Sequence, residues 1–555
     1  MGDATLPKTF ALIVAAGLLA ACSRVPDAAS AGAGNAATVP SPGARHAYTR
    51  PHELRYATAE DISGLNPHLV TQGVVFYMAS LTMAWLVKTG PDSKPVPELA
   101  TEVPTLANGG VSRDGRTITY HLRKDAKWSD GTPFTAGDVV FSVKTILNPA
   151  TNEVGRDGWD LITKMDEPDQ HTVVLHLKKK YSPYAVTFFS SAGANPCVLP
   201  KHLLEKLSNI NNAEYNALPV GIGPFKYASW KRGDAVEMVP DPLYFRGQPK
   251  LRKITFKIVP DRNTVLTQLT THEIDLWTPI SASFYDRVKT LAGVNVVRRP
   301  AFQYNHMDFN TSHPIVSDRR VRAALRYGMD RDQIRVKIRH GLGRLSDNIF
   351  GPNHPAYHPI PVAPFDLARG KALLEEAGWK PGPDGVRVKN ATRLALVVAT
   401  SSGTPDTDQQ IELIRATWKQ LGVELTVRRY LSALMFAQPS GVVYSGKFDV
   451  IFFAWTLDSF GDLSQLYGCA AMPPHGQNDS RWCNPRADAA MHAFKEEYDE
   501  AKRNPYDYAV TDEIARDVPI VVLDVRDDIY AYNTDMHGWH PNPVAPFDDF
   551  MNVDI

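Results

Sequence analysis

Between Leu251 and Ile258 apolar and polar positions alternate, with Ile254, Phe256 and Ile258 on one side, a period of two that predicts a half-buried strand. Asp261 then opens a helical stretch carrying Val265, Leu266 and Leu269, and Ile274-Asp-Leu-Trp277 returns to an extended pattern. Together these pieces predict a βαβ unit. A second follows: Leu394-Ala-Leu-Val-Val398 is a continuous apolar run, a helix through Ile411, Leu413, Ile414 and Trp418 ends at Gly422, and Val423-Glu-Leu-Thr-Val427 alternates. Continuous apolar runs suit parallel strands buried on both faces, so Asp449-Val-Ile-Phe-Phe-Ala-Trp455 is expected as a central strand of the second of two α/β lobes.

Around Trp128 the pattern changes. Trp128-Ser-Asp-Gly131 has turn chemistry, and Thr135-Ala-Gly-Asp138 has the form of a capping box whose hydroxyl and carboxylate satisfy the first free N–H groups of a helix. That helix places Val139, Val143, Ile146 and Leu147 on one face and is expected to stop at Asn148-Pro149. A single Trp in such a turn is more often a packing anchor than a platform for a ligand.

At the start of the chain, Phe10 to Ala21 is apolar or small throughout, too short to cross a hydrocarbon core of about 30 Å, and reads as a signal-sequence core. Its end, Leu19-Ala-Ala-Cys22, resembles the lipobox of bacterial lipoproteins, in which Cys22 is acylated and becomes the mature N-terminus. The following segment to His46 is mostly Ala, Gly, Pro and Ser and is expected to be a flexible tether. No later stretch is apolar enough to span a membrane, so the expectation is a soluble body held to the membrane only through lipid. Export implies an oxidising compartment. Cys469 and Cys483 close a short proline-containing segment and are expected to form a disulfide worth roughly 3 kcal/mol by the chain-entropy argument. Cys197, in an apolar stretch, is expected as a buried free thiol.

Composition narrows the function. The 555 residues suffice for several domain-sized pieces, 43% are hydrophobic, and 60 Lys+Arg balance 60 Asp+Glu. A net charge of zero removes the broad positive footprint of a nucleic-acid tracker or a protein that coats anionic lipid, so no nucleic-acid partner is expected. Nucleophile-elbow, His-Glu-x-x-His and phosphate-loop motifs are absent, so no enzyme activity is expected and an exported hydrolase is the weakest reading. His306, His313, His340 and His354 are scattered without metal-ligand spacing; neither a metal site nor a cofactor is expected.

Taken in order, several of these stretches resemble the extracellular solute-binding proteins, family 5, the dipeptide- and oligopeptide-binding components of bacterial ABC importers. The long string Leu122-Arg-Lys-Asp-Ala-Lys-Trp128-Ser-Asp-Gly-Thr-Pro133-Phe-Thr-Ala-Gly-Asp138-Val-Val-Phe-Ser142 carries the resemblance most specifically. Gly221-Ile-Gly-Pro-Phe225, Asp241-Pro-Leu-Tyr244, Asp318-Arg-Arg-Val-Arg322 and Ala372-Leu-Leu-Glu-Glu-Ala-Gly-Trp379 extend it. The resemblance implies an α/β, two-lobed periplasmic-binding-protein fold with a hinge and an extra subdomain in the first lobe. It places a lipoprotein signal peptide at 1–22, a tether at 23–46, the first lobe at 47–90, 215–303 and 521–555, the extra subdomain at 91–214 and the second lobe at 304–520. Crossings between lobes are expected near 301–309 and 518–523.

What the resemblance implies about function is a periplasmic or cell-surface, lipid-anchored monomer that captures a small peptide and delivers it to a permease in the inner membrane. Non-peptide solutes, an oligosaccharide, a nickel chelate or haem, remain the alternative. A buried peptide brings an ammonium that needs an acid, and in peptide-binding members a strand ending in Trp is followed three positions later by that acid. Here the string is Trp455-Thr456-Leu457-Asp458, which marks Asp458, Trp455 and Thr456 as ligand-binding candidates, against the plainer reading of Asp458 as a turn cap and Trp455 as a core aromatic. The cation for the peptide's carboxylate is not singled out. Arg319, Arg320 and Arg322 are among many candidates, and their helix is expected to present its charges on a solvated face.

Overall fold

Two long strands, Val294–Phe309 and Ile520–Asn533, run antiparallel to each other through the middle of one ten-stranded sheet. In sheet order the strands are Glu424–Tyr430, Ala395–Ser401, Val450–Thr456, Val294–Phe309, Ile520–Asn533, Leu276–Trp277, Glu53–Thr58, Lys253–Ile258, Ala235–Pro240 and Phe225–Lys231. The structure, a computed structural model, describes residues 45–555 apart from 71, 154, 157, 193–195, 403–404 and 438–439. The expected signal sequence, Cys22 and nearly all of the tether therefore lie outside the described residues.

The two long strands serve both halves of the sheet. Their outer ends pair as Val294↔Asn533 through Pro300↔Asp527, beside Leu276–Trp277. Their other ends pair as Tyr304↔Val525 through Asp308↔Ile520, beside Val450–Thr456. Between Pro300 and Tyr304 the register shifts, so 301–303 stand against Arg526 alone. This break is the crossing. It corrects the expectation for the second crossing: Ile520 to Val522 pair inside the second half, with His306 to Asp308, and the chain changes halves farther on. The reason is that a single 14-residue strand serves both lobes, and its apolar pattern runs on without a signal at the change.

Alternation explains why both halves hold. Met307, Phe309, Val521 and Leu523 point into one core of the second half, and Tyr304, Ile520 and Val522 into another on the opposite face. In the first half Tyr56, Leu276 and Tyr530 face one core, Ala57, Trp277 and Ile529 the other. The βαβ units are as the sequence patterns predict. Lys253–Ile258 and Leu276–Trp277 lie parallel on either side of Glu53–Thr58, with Arg262–Thr270 between them in sequence and Asp261 Oδ1 accepting from the Thr264 N–H at 2.7 Å. Ala395–Ser401 and Glu424–Tyr430 pair directly, joined by Pro405–Gln420.

A further core, from Ala84 to Ile222, gathers around a three-stranded sheet (Thr117–His121, Thr172–Leu177, Ile162–Asp169) and the helix Ala136–Leu147. The capping box is present: the Thr135 N–H donates to Asp138 Oδ2 at 2.9 Å, while Asp138 Oδ1 accepts from the Lys201 N–H at 3.0 Å. Trp128 is 1% exposed inside this core, an anchor and not a ligand platform.

Cys469 and Cys483 are disulfide-bonded, and Cys197 is a buried free thiol. The bridge ties the end of Ser464–Tyr467 to the start of Pro485–Glu496. With a sequence separation of 14 between the cysteines, removing it through Cys469→Ser/Cys483→Ser should lower stability by roughly 2–4 kcal/mol. Urea unfolding monitored by fluorescence checks this, and an unchanged midpoint would refute it.

The helix Gly73–Thr82 is held by a close backbone approach. The Gly223 N–H donates to the Thr82 carbonyl at 3.0 Å, and a Cβ at Gly221 or Gly223 would overlap the carbonyls of Thr82 or Leu81. Gly221→Ala should therefore destabilise by about 1–3 kcal/mol or more, since backbone and not a movable side chain blocks it. The same urea measurement reads it, and wild-type stability would show that the helix end yields.

Candidate functional site

A cavity of about 640 Å³ opens at the crossing, within the size range of pockets that enclose small ligands. One wall is the helix Gly73–Thr82, through Phe76, Tyr77 and Ser80. Trp159 and Tyr181 of the Ala84–Ile222 core form a second wall, and Ala301, Phe302, Gln303, Arg526 and Asp528 of the two crossing strands form the floor. Opposite stand Trp455, Thr456, Leu457 and Asp458, the end of the strand Val450–Thr456 and its continuation, with Asp462, Gln465 and Gln477 from the disulfide-braced region. All three candidates from the sequence, Asp458, Trp455 and Thr456, thus line one cavity.

Asp458 is placed by the strand before it. The Leu457 N–H donates to the Phe302 carbonyl at 2.7 Å, extending the ladder by one residue past Thr456. The Asp458 carbonyl accepts from His354 Nε2 at 2.7 Å, and His354 Nδ1 accepts from the Ala356 N–H at 3.1 Å, which assigns a neutral imidazole protonated on Nε2. Burial pushes that imidazole down to about 4 and keeps it neutral. Asp458 Oδ1 accepts from the N–H groups of Phe460 and Gly461, each at 2.8 Å, so the turn-cap role is real. Gly461 sits at φ 97°, a conformation that favours glycine and that this turn requires. Oδ2 accepts no hydrogen bond among the described residues. One carboxylate oxygen fixes the turn and the other is left for the cavity.

The electrostatics favour a cation there. Burial, reinforced by Asp462, pushes the Asp458 carboxyl up to about 6, against the opposing pull of its two N–H donors and Arg503. Asp507, behind the turn, is held well above the usual carboxylate range by burial and by Asp462 and Asp458. Two cations lie nearby: Lys495 Nζ is 3.3 Å from Asp462, and the Arg503 guanidinium, stacked 3.8 Å over Phe460, pulls on Asp458 and Asp507 without an ion pair to either among the described residues. Ionising all three carboxylates in this half-buried corner is costly unless a further positive charge arrives.

Trp455 is half-buried, edge-on to Phe453 at 5.0 Å and 75°, and so is both a packed aromatic and cavity wall. Thr456 is exposed, with Oγ1 accepting from Gln303 Nε2 at 2.8 Å across the crossing. The scattered histidines are not brought together. His313 pairs with Asp449 and His340 with Asp286, and among the described residues no group of His, Cys, Asp and Glu is arranged to hold a metal ion.

Of the arginines considered from sequence, Arg319 and Arg320 are exposed, but Arg322 is 4% exposed and corrects the expectation of a solvated face. Its guanidinium donates to the carbonyls of Val316, Ser317, Asp517 and Val518, tying its helix to the turn before Ile520–Asn533. None of the three lines the cavity. Sequence reasoning missed Arg526 and Asp528. Their signal was present: Asp524, Arg526, Asp527 and Asp528 interrupt an otherwise apolar strand, and charges in a central strand need a reason to be there.

Residues 94–473 match the family described as bacterial extracellular solute-binding proteins, family 5. The chain is 24% identical over 482 residues to the oligopeptide-binding protein AppA of Bacillus subtilis, covering 86% of each chain. It is 25% identical over 455 residues to the dipeptide-binding protein of Escherichia coli, covering 78% of this chain and 81% of that one. Among solved structures it resembles that AppA in complex with a nonapeptide, with a TM-score of 0.78 at 22% identity over 90% of this chain and 98% of the other. It also resembles NikZ of Campylobacter jejuni in complex with Ni(L-His), with a TM-score of 0.75 at 22% identity over the same shares. Proteins that hold a peptide and a nickel chelate thus share this periplasmic-binding-protein fold, which leaves the ligand to be argued from the cavity. The match over 94–473, joined to a sheet whose two halves meet at a cavity, makes the chain a member of the bacterial extracellular solute-binding proteins, family 5.

Proposed function

We propose that the protein is the extracytoplasmic binding component of an ABC importer, which encloses a peptide between its lobes and delivers it to a membrane permease. The observation that carries this reading is Asp458: a half-buried carboxylate on the cavity wall, with one oxygen fixed by the turn and the other without a partner among the described residues. A peptide ammonium supplies the missing charge through a short, charge-assisted hydrogen bond. The names of relatives at 24% and 25% identity, an oligopeptide- and a dipeptide-binding protein, support the same ligand class. Aromatic walls from Trp455, Phe302 and Tyr77 accommodate side chains, and Gln303, Gln465 and Gln477 offer adaptable partners for backbone groups.

In this reading the lobes comprise 47–90, 215–300 and 527–555 on one side and 304–525 on the other, with 91–214 as a subdomain of the first. They rotate about the register break at 301–303 and Arg526. Closure buries the ligand and presents one surface for the permease to read. The protein works as a monomer, periplasmic or at the cell surface, anchored by lipid on Cys22.

Asp458→Asn should weaken a peptide with a free amine by roughly 2–5 kcal/mol. The fold should persist, because the Asn side-chain oxygen still accepts from Phe460 and Gly461. N-acetylation of the peptide should cost the wild type a similar amount and the variant little. Calorimetry over the four combinations reads this, and additive losses would show that the acid and the amine do not meet.

The raised carboxyl predicts a pH dependence. The peptide stays zwitterionic between pH 5 and 7, but Asp458 gains a proton below about 6 and loses its charge. Affinity should then fall by up to about tenfold per pH unit. The groups facing Asp458 are Asp462, Asp507, Arg503 and the neutral His354, and an Asn variant with a flat profile would assign the titration to Asp458 itself. The sign for the empty protein is opposite: a carboxyl raised on folding adds stability at low pH that is lost as pH rises towards 6. A wild-type affinity that is constant from pH 7 to 5 would contradict the assignment.

Cys22→Ser should release the protein from the membrane fraction without blocking export. Unchanged fractionation would remove the lipid anchor from the account.

A further inference from the structure

Among the described residues that line the cavity, Arg526 is the one base, set against the acids Asp458, Asp462 and Asp528. It is half-buried at the register break, where 301–303 face it across the sheet. Its Nε is shielded from solvent without a hydrogen-bond partner, and the guanidinium makes no ion pair with a described residue. The acids around it attract it without closing an ion pair on it. Asp524 accepts from Asn305 Nδ2 at 2.8 Å and lies 3.7 Å from Arg339, and Asp406 is 3.9 Å from Arg339. Asp528 is reached by the Tyr530 hydroxyl at 3.5 Å. A guanidinium carries five donors and cannot shed its charge, so leaving it half-buried and unpaired is expensive unless an anion completes it.

Its position also measures the ligand. The strands carrying Asp458, 301–303 and Arg526 are neighbours, and the pairs Gln303↔Thr456, Pro300↔Asp527 and Tyr304↔Val525 put Asp458 and Arg526 level with 301–302 on either side. Two interstrand spacings separate their backbones by about 10 Å. An extended peptide advances about 3.3–3.6 Å per residue, so about three residues fill that gap.

We infer that Arg526 takes the carboxylate of the ligand whose ammonium Asp458 takes, and that the pair selects peptides of two to four residues with both termini free. This rests on the peptide reading and adds to it a second anchor and a length. The planar fork of Arg526 matches a carboxylate in two parallel N–H···O bonds, and the anchor sits on the strand that turns when the lobes close. A longer peptide can satisfy one anchor but not both.

The test is calorimetry with Ala-Leu, Ala-Leu-Ala, an octapeptide of the same residues and the C-terminal amide of Ala-Leu-Ala, against wild type, Arg526→Gln and Arg526→Lys. Arg526→Gln should weaken Ala-Leu-Ala by about 30- to 3000-fold, and the amide should lose a similar factor on wild type and little more on the variant. Arg526→Lys should restore part of the loss, and the octapeptide should bind wild type at least about tenfold more weakly than the tripeptide. The amide and length arms use wild type alone, so a variant that fails to fold leaves the test standing. Equal affinity for acid and amide overturns the anchor, and an octapeptide as tight as the tripeptide overturns the length limit, in both cases with the peptide reading intact. Failure of wild type to bind any of the four peptides overturns that reading and this inference together.

Discussion

The pairing of Val294–Phe309 with Ile520–Asn533 is the constraint on which the rest depends. Because the two strands cross together, each side of the sheet can close its own cores while the connection stays a pair of hydrogen-bonded strands. The break in their register leaves 301–303 and Arg526 outside regular pairing where the cavity opens. The same irregularity forms the floor of the cavity and, in the proposed function, the pivot, so chemistry placed there would sense whether the lobes are open or shut. Elsewhere the strands are fixed by alternation into opposed cores, and a one-residue slip would exchange every buried side chain with the other face.

Charge is the second organising element. The cavity corner around Asp458 gathers Asp462 and Asp507 beside Lys495 and Arg503, while Arg526 stands on the far side of the crossing without an ion pair to a described residue. Such an arrangement is unfavourable when empty, and in the proposed function a zwitterion would relieve both ends at once. Differential stabilisation of a closed, filled state would follow from that relief.

Much of this was legible in the sequence because the elements concerned obey local rules. The alternation of Ile254, Phe256 and Ile258, the cap at Asp261 and the Thr135–Asp138 box each act over a few residues, and each stands in the structure as read. Asp458, Trp455 and Thr456 could be marked because the string at the end of the strand Val450–Thr456 resembles the family's Trp followed three positions later by an acid. The second crossing was misplaced because nothing in the apolar run from Ile520 marks where it leaves one lobe for the other. Arg322 was misjudged because its partners, the carbonyls of Asp517 and Val518, are distant in sequence. Arg526 was missed because its place on the cavity follows from pairing with a strand far from it in the sequence, although a cluster of charges within a buried strand was visible and physically unusual.

The central claim is that the cavity holds a short peptide, and native mass spectrometry of the protein purified under gentle conditions tests it most directly. The account predicts bound masses that, once released, sequence as short peptides with free termini and that disappear in Asp458→Asn. A released carbohydrate, a metal chelate or a haem in their place would contradict it.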